Sequence, residues 1–500
     1  MTFFPGTQVT PLPAGGLQIP DLDHTDQNLL DLLWMQFRAK WPRNELRSRY
    51  YDHKNAVKSL GIAIPPEALE KVDTVIGWPA KAVDSLARRN NLDGFVIAGG
   101  SADDLGIGQM WTENNMDIEA PQAHTSAYKH AVAFVATTAG DTAAGEPEVL
   151  ITARSANTAT GLWNPRLRQL SAVLSLVSFD QGGPTEFVMY LPDRVLMVRR
   201  SGKRWRVETV GHTLGRVPVE MLTYRPNLDR PFGSSRISRA VMSMTDEAVR
   251  TIVRTEIGAE FFMAPQRYAL GVAGFENEDG TTKTAWESVI GHMLAIGRDE
   301  DGEIPTFGQF PQMSMQPHID QLRSIAARFA SETSLPISAL GIVQDNPASA
   351  EAIYAAKEDF IVEAEAANAV FGAAWAKAIR TGVQIREGLD ELPPELLKLR
   401  AKWRDPATPS RASAAAAVRE MVTAFPWMAE SEVALEQLGW DQTTIARAMA
   451  DKRKAGLAAL VAKLPPPPPN NPAAATATAT GTTATGTTGR ERPVIDGDAR

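Results

Sequence analysis

The side chains able to do chemistry in this sequence are scattered, and their spacing excludes more than it supports. Histidines stand at His24, His53, His124, His130, His212, His292 and His318. Only His124 and His130 are close, and their offset fits neither a helical metal pair nor a zinc-enzyme motif, so they read as ordinary surface or core histidines. No cysteine is present, which removes thiolate catalysis, thiolate metal sites and disulfides. Leu105-Gly106-Ile107-Gly108-Gln109-Met110 lacks the third glycine and the preceding strand of a dinucleotide fingerprint, and no phosphate loop ending in Gly-Lys-Ser or Gly-Lys-Thr occurs. A metal or cofactor is therefore not expected.

Carboxylates are the more suggestive group. Glu351, Glu358, Asp359, Glu363 and Glu365 crowd one short stretch against a single Lys357. As chemistry, Glu358 and Glu363 could serve an enzyme, although no other residues complete a constellation. As physics, the same set is a solvated helix face. Arg199, Arg200, Lys203, Arg204 and Arg206 cluster on a predicted hairpin, which reads as a solvated edge or subunit contact rather than a nucleic-acid site. The helix-break-helix of Ser431 to Met449 could be a DNA-binding helix-turn-helix, but its second helix offers little beyond Arg447, so a packed helical hairpin is the better reading.

The acidic set is positioned by a pair of helical patterns between Pro317 and Gly382. Ile319, Leu322, Ile325, Ala326, Phe329 and Ala330 recur at the spacing of one helix face, and Leu335-Pro336 ends that helix. A non-periodic connection, Ser338 through Asn346, is a predicted loop. Asn346-Pro347, or Ser349 with Glu351, starts a second helix that continues through Phe360, Ala367, Phe371, Trp375 and Ile379 to Gly382, with a kink expected at Gly372.

The rest of the chain brackets this pair. Helices are expected at 29–40, 44–51 and 77–89, and as two short ones within 103–130. Strands are expected at 132–137, 149–153, 174–179, 187–191, 195–200, 204–210 and 217–224, with Ser201-Gly202 as a hairpin turn. An apolar helix follows at 235–263, too broadly hydrophobic for one stripe. Residues 267–312 form a small insert with a strand at 268–272, an acidic turn at 276–280, a helix at 284–294 and an apolar run at 307–310. Helices are expected again at 395–403, 410–424, 431–438 and 442–464, before a Pro/Ala/Thr/Gly tail whose composition cannot build a core.

Composition sets the outer bounds. At 500 residues, 44% hydrophobic and 22% charged, the chain can bury a large core across several domains. A formal net charge of −8 argues against tight, non-specific nucleic-acid binding, but not against a protein that nucleic acid slides past. Residues 1–20 show neither a basic n-region nor an apolar h-region, and no run is long enough to span a bilayer, so no membrane role is expected.

Several colinear stretches carry a family resemblance. They are Gly77 through Asp84, Arg230 through Arg239, Ala264 through Tyr268, Gly308 through Gln312, Met315 through Leu322, and Gly341 through Glu358. On these the chain resembles the portal proteins of tailed bacteriophages, in the group similar to the portal of Bacillus phage SPP1 and common in phages of actinobacteria.

That resemblance implies an α+β, mostly helical portal fold with wing, stem, clip and crown, assembled as a homo-oligomeric ring of about twelve subunits. It implies a flexible arm at 1–27, a wing at 28–230, a stem helix at 231–264, a clip at 265–312 and a second stem helix at 313–336. A tunnel loop at 337–349, a long helix at 350–382 and a helical crown at 383–464 complete the division, and the tail at 465–500, disordered by its composition, departs from the family. Ile342, Val343, Gln344, Asp345 and Asn346 would form the tunnel loop, Glu351, Glu358, Asp359 and Glu363 would face the channel, and Tyr268, Glu276, Asp279 and Trp286 would meet partners at the clip.

The implied role is a conduit at one capsid vertex that passes double-stranded DNA without sequence specificity and docks terminase, head-completion or adaptor proteins and the major capsid protein. It would act in the virion, after assembly in the host cytoplasm, and would not be an enzyme. The other reading is a capsid-associated, partner-binding helical protein without a channel.

Overall fold

The computed structural model describes residues 16–55, 74–97, 105–180, 183–263, 267–270, 306–309, 314–342, 357–407 and 411–462. The expected tail at 465–500, most of the clip and the Val343–Asn346 segment lie outside them.

The first helix, α1 (His24–Tyr51), starts where the Asp23 side chain accepts from the backbone N–H of Asp26 at 2.8 Å. Sequence periodicity breaks it at Trp41-Pro42, yet it runs through Pro42 unbroken. Burial on both sides of the proline explains this: Leu30, Leu33, Trp34 and Phe37 precede it, Asn44, Ser48 and Tyr50 follow it, and Asn44 donates to the Ala156 carbonyl. Tertiary packing outweighs one lost helical hydrogen bond. Then come α2 (Trp78–Ala87), α3 (Ile107–Glu113) and α4 (Met116–His130), in agreement with the sequence pattern, with a strand not expected from it, β1 (Leu92–Ile97), between α2 and α3.

Two antiparallel sheets follow. The first contains β2 (Val132–Ala139), β3 (Val149–Ser155) and β9 (Val219–Thr223), in the order β3-β2-β9. The second contains β4 (Ala159–Asn164), β5 (Gln169–Asp180), β6 (Gly183–Tyr190), β7 (Arg194–Ser201) and β8 (Arg204–Gly211), in sequential order. Strand β4 has no counterpart in the sequence reading, because Ala-Thr-Gly-Leu-Trp-Asn shows no alternation long enough to signal it. At the expected hairpin turn, Ser201 pairs with Arg204, and Gly202 takes the left-handed φ of 64° that a two-residue turn requires.

Alternation of side chains divides the interior. Ala133 and Val135 of β2 face a large core with α4, while Val132 and Phe134 face a second one between the sheets. Leu174, Leu176, Phe187 and Met189 cover the far side of the five-stranded sheet, where α1 and Leu17 and Ile19 of the preceding segment close it off.

Beyond the sheets lies α5 (Arg239–Met263). Strands β10 (Arg267–Leu270) and β11 (Thr306–Gln309) pair antiparallel, so the chain leaves and re-enters the insert side by side. The pattern-predicted helix α6 (Gln316–Glu332) is present. Helix α7 (Glu358–Arg386) follows; its expected start at 346–351 lies outside the described residues, and its end passes Gly382. Neither glycine in α7 is a breaker. A Cβ at Gly382 would meet Met110 Sδ at 2.6 Å, and one at Gly372 would meet Trp403 Nε1 at 2.8 Å, so both serve close packing.

One expectation fails outright. Residues 395–403 are a short turn leading into β12 (Leu399–Trp403), not a helix, and β12 pairs antiparallel with β1. The edge of β1, a strand far back in the sequence with which it forms a two-stranded sheet, decides this, which local propensity cannot register. Helices α8 (Arg411–Ala424), α9 (Glu432–Gln437) and α10 (Gln442–Ala462) end the described chain. Among the described residues no helix is long and apolar enough to cross a membrane.

Candidate functional site

Helices α5, α6 and α7 converge on a buried joint from which the predicted loop departs. Helix α6 buries Ile325, Ala326, Phe329 and Ala330, and Arg328 on its outer side pairs with Glu247 of α5 at 2.7 Å. It stops at Thr333, whose hydroxyl turns back to donate to the Phe329 carbonyl at 2.7 Å. Leu335-Pro336 and a short turn at Ile337–Leu340 follow, and Gly341 with φ 82° redirects the chain. Ile342 is half-buried against the large core. Val343, Gln344, Asp345, Asn346 and Glu351 lie outside the described residues, which resume at Lys357 and the buried Phe360.

Arg236, just before α5, holds the joint together. Its guanidinium is 2% exposed and reaches four elements. Nε donates to the Ala82 carbonyl of α2 at 2.6 Å, and Nη1 donates to the Tyr224 hydroxyl at 2.9 Å and to Glu363 Oε1 of α7 at 2.6 Å. Nη2 donates to the Thr333 carbonyl at the end of α6. Tyr224 also donates to Glu363, and Arg225 adds a second cation to it at 2.7 Å. Burial works against the charged guanidinium, but Tyr224 and Glu363 outweigh it and hold the Arg236 pKa above its usual value. Burial likewise raises the Tyr224 hydroxyl, which therefore stays protonated as a donor.

The structure thus separates the predicted acidic set. Glu358 and Asp359 are exposed in the first turn of α7, where a helix N-terminus favours carboxylates. Glu363 is not on that face: its side chain is 8% exposed and bound into the Arg236 joint. A carboxylate with two guanidinium partners and a tyrosine cannot also serve as a free channel-lining charge. At the insert, Tyr268 sits in β10 opposite Gly308, while Glu276, Asp279 and Trp286 lie outside the described residues. Sequence reading missed Arg236 and Tyr224 as structural partners; the available signal was an arginine immediately before the apolar run of a buried helix.

The two neighbouring histidines resolve into core roles. His124 stacks on Phe371 at 5.1 Å and accepts from Trp375 Nε1 at 2.9 Å, and burial pushes its pKa down to about 3. His130 lies within hydrogen-bonding reach of Ser48 and Ser155 and is likewise pushed to about 3 by burial, with Lys129 and Arg47 adding to the effect. Among the described residues no three His, Cys, Asp or Glu side chains gather as a metal site.

The geometry can be set beside known proteins. The chain is 31% identical over 387 residues to the portal protein of Mycobacterium phage L5, covering 74% of this chain and 77% of that one. It is 31% identical over 383 residues to the portal protein of Mycobacterium phage D29, with coverage of 74% and 77%. A chain in the virion of the native gene transfer agent particle overlaps with a TM-score of 0.38 at 13% identity, across 71% of this chain and 86% of that one. So low an overlap bears no functional weight. Residues 30–454 match the family described as phage portal protein, SPP1 Gp6-like, and with the mycobacteriophage identities this shows that the chain belongs to that portal family, whose members are structural rather than enzymatic.

Proposed function

We propose that the protein forms a ring of about twelve copies at one capsid vertex and acts as the conduit for double-stranded DNA during packaging and ejection. Family membership across residues 30–454 is the observation that carries this reading. Residues 28–230 serve as the wing, α5 and α6 as stem helices, 265–312 as the clip, and 383–464 contribute the crown. Tyr268, Glu276, Asp279 and Trp286 are clip positions for terminase and then for head-completion or adaptor proteins, and the wing meets the major capsid protein.

Charge supports a passage that holds DNA loosely. No lysine or arginine occurs between Leu335 and Ala356, a stretch that contains the loop Ile342 to Asn346, and α7 opens with the exposed pair Glu358 and Asp359. Phosphate neutralisation by cations is what makes DNA binding tight and salt-dependent, so a cation-free loop beside carboxylates favours sliding. Assembly in the host cytoplasm and residence in the virion follow from this role.

Electron microscopy of the purified full-length chain, with mass photometry, tests the proposal. A closed ring with a lumen wide enough for a duplex is the expected result. A compact monomer or dimer that persists when capsid or scaffold protein is added would sink the conduit.

A further inference from the structure

A second feature, independent of the conduit reading, lies along the flank of α1, between it and the turn after β9. Lys40, Arg43 and Arg47 recur at helical spacing along one face, and Arg230 approaches from the turn after β9. Together they surround a half-open cavity of about 500 Å³. The turn is fixed by the Asn227 side chain, which accepts from the backbone N–H of Arg230 at 2.7 Å. Arg47 is anchored by donating to the His130 carbonyl at 3.1 Å, and Lys40 Nζ stands 4.2 Å above the Phe232 ring.

Charge in this cavity is not compensated. Four cations face one carboxylate, Asp229, and none of the four forms an ion pair among the described residues. In a chain of net charge −8 such a concentration runs against the global balance. Burial and the neighbouring Arg43 press the Arg47 pKa down to about 10, and burial lowers that of Lys40. Nearby His130 is held neutral by burial and adds no further positive charge. The floor is different in kind: Phe37, Val132, Phe134, Ala156 and Phe232 make it apolar.

We infer that this cavity is a docking pocket for an acidic segment of a partner protein, which places carboxylates against Lys40, Arg43, Arg47 and Arg230 and an apolar side chain on the Phe232 floor. A cationic rim over an apolar floor matches the two halves of such a segment. Duplex DNA fits less well, because its backbone presents phosphates without an apolar group to fill the floor.

The test is fluorescence anisotropy of the full-length protein with a dye-labelled synthetic peptide of alternating Glu and Leu, run beside a labelled DNA duplex. Saturable peptide binding is expected, weakened about tenfold by Lys40→Glu with Arg43→Glu and also by Phe232→Ala, and reduced by added salt. Lys203→Glu with Arg204→Glu makes the same charge change on the exposed β7–β8 hairpin and should leave it intact. Lys40 and Arg43 are themselves exposed, so their replacement leaves the fold in place, as circular dichroism would verify. No peptide binding, or equal loss in both charge-reversed pairs, overturns the assignment. Tighter duplex binding through Lys40 and Arg43 would overturn it too, by making the pocket a phosphate site.

Discussion

Arg236 and Glu363 are separated by 127 positions in the chain and meet at 2.6 Å, one before α5 and the other on the second turn of α7. Their contact joins the two flanks of the predicted loop, because the same guanidinium also holds the Thr333 carbonyl at the end of α6. The end of α6 and the second turn of α7 are thereby fixed to one buried cation. Removing Arg236 leaves two backbone carbonyls and the Glu363 carboxylate without that donor, so Arg236→Ala should cost about 3–5 kcal/mol. Glu363→Gln keeps an acceptor and should cost less, about 1–3 kcal/mol. Thermal unfolding of both variants checks the order; equal, small shifts would refute the joint.

The buried histidines give a pH dependence with a definite sign. His124 and His130 have pKa values depressed from 6.5 to about 3, chiefly by burial. Between those limits the unfolded chain binds protons that the folded chain does not, so stability is full above about pH 6.5 and falls on acidification. The slope is about 1.4 kcal/mol per pH unit for each histidine. A His124→Gln, His130→Asn variant should show a flatter melting temperature between pH 6.5 and 4 than the wild type. An unchanged slope would assign the acid sensitivity to other groups.

The proline inside α1 supplies a third test. Pro42 is exposed and lacks the N–H of a helical turn. Pro42→Ala restores that donor within a continuous helix and should stabilise the protein, by about 1–3 kcal/mol. Calorimetry showing a lower melting temperature would mean that the helix needs the proline's geometry.

Close packing along α7 predicts the opposite response at its glycines. Gly372→Val and Gly382→Val would drive side chains into Trp403 and Met110, and each should destabilise by about 1–3 kcal/mol. Loss at Gly372 should be accompanied by increased amide exchange in β12, which packs there.

If the acidic start of α7 keeps DNA mobile, Glu358→Lys with Asp359→Lys should increase duplex affinity in a salt-dependent manner. Both side chains are exposed, so folding should be unaffected. Filter binding over a salt series measures this, and an unchanged affinity would remove these two carboxylates from the proposed passage.

The sequence by itself determined what depends on local periodicity and on composition. β-branched and aromatic runs mark β2, β3 and β5 to β9, the three-and-four spacing marks α6, a broadly apolar run marks α5, and Ser201-Gly202 marks a hairpin, because each signal lies within one element. The absence of cysteine settled a whole class of chemistry, and the colinear stretches pointed to the portal family that the comparisons establish. Tertiary structure alone decided the rest. Strand β12 exists because β1 offers an edge, α1 continues through Pro42 because both of its halves are buried, and Gly382 permits contact rather than ending a helix. Glu363 shows the same division within the candidate site: Glu358, Asp359 and Glu363 look alike as letters in one acidic run. Only the third faces Arg236, and a contact between residues so far apart in the chain depends on how the helices pack, which no local pattern encodes.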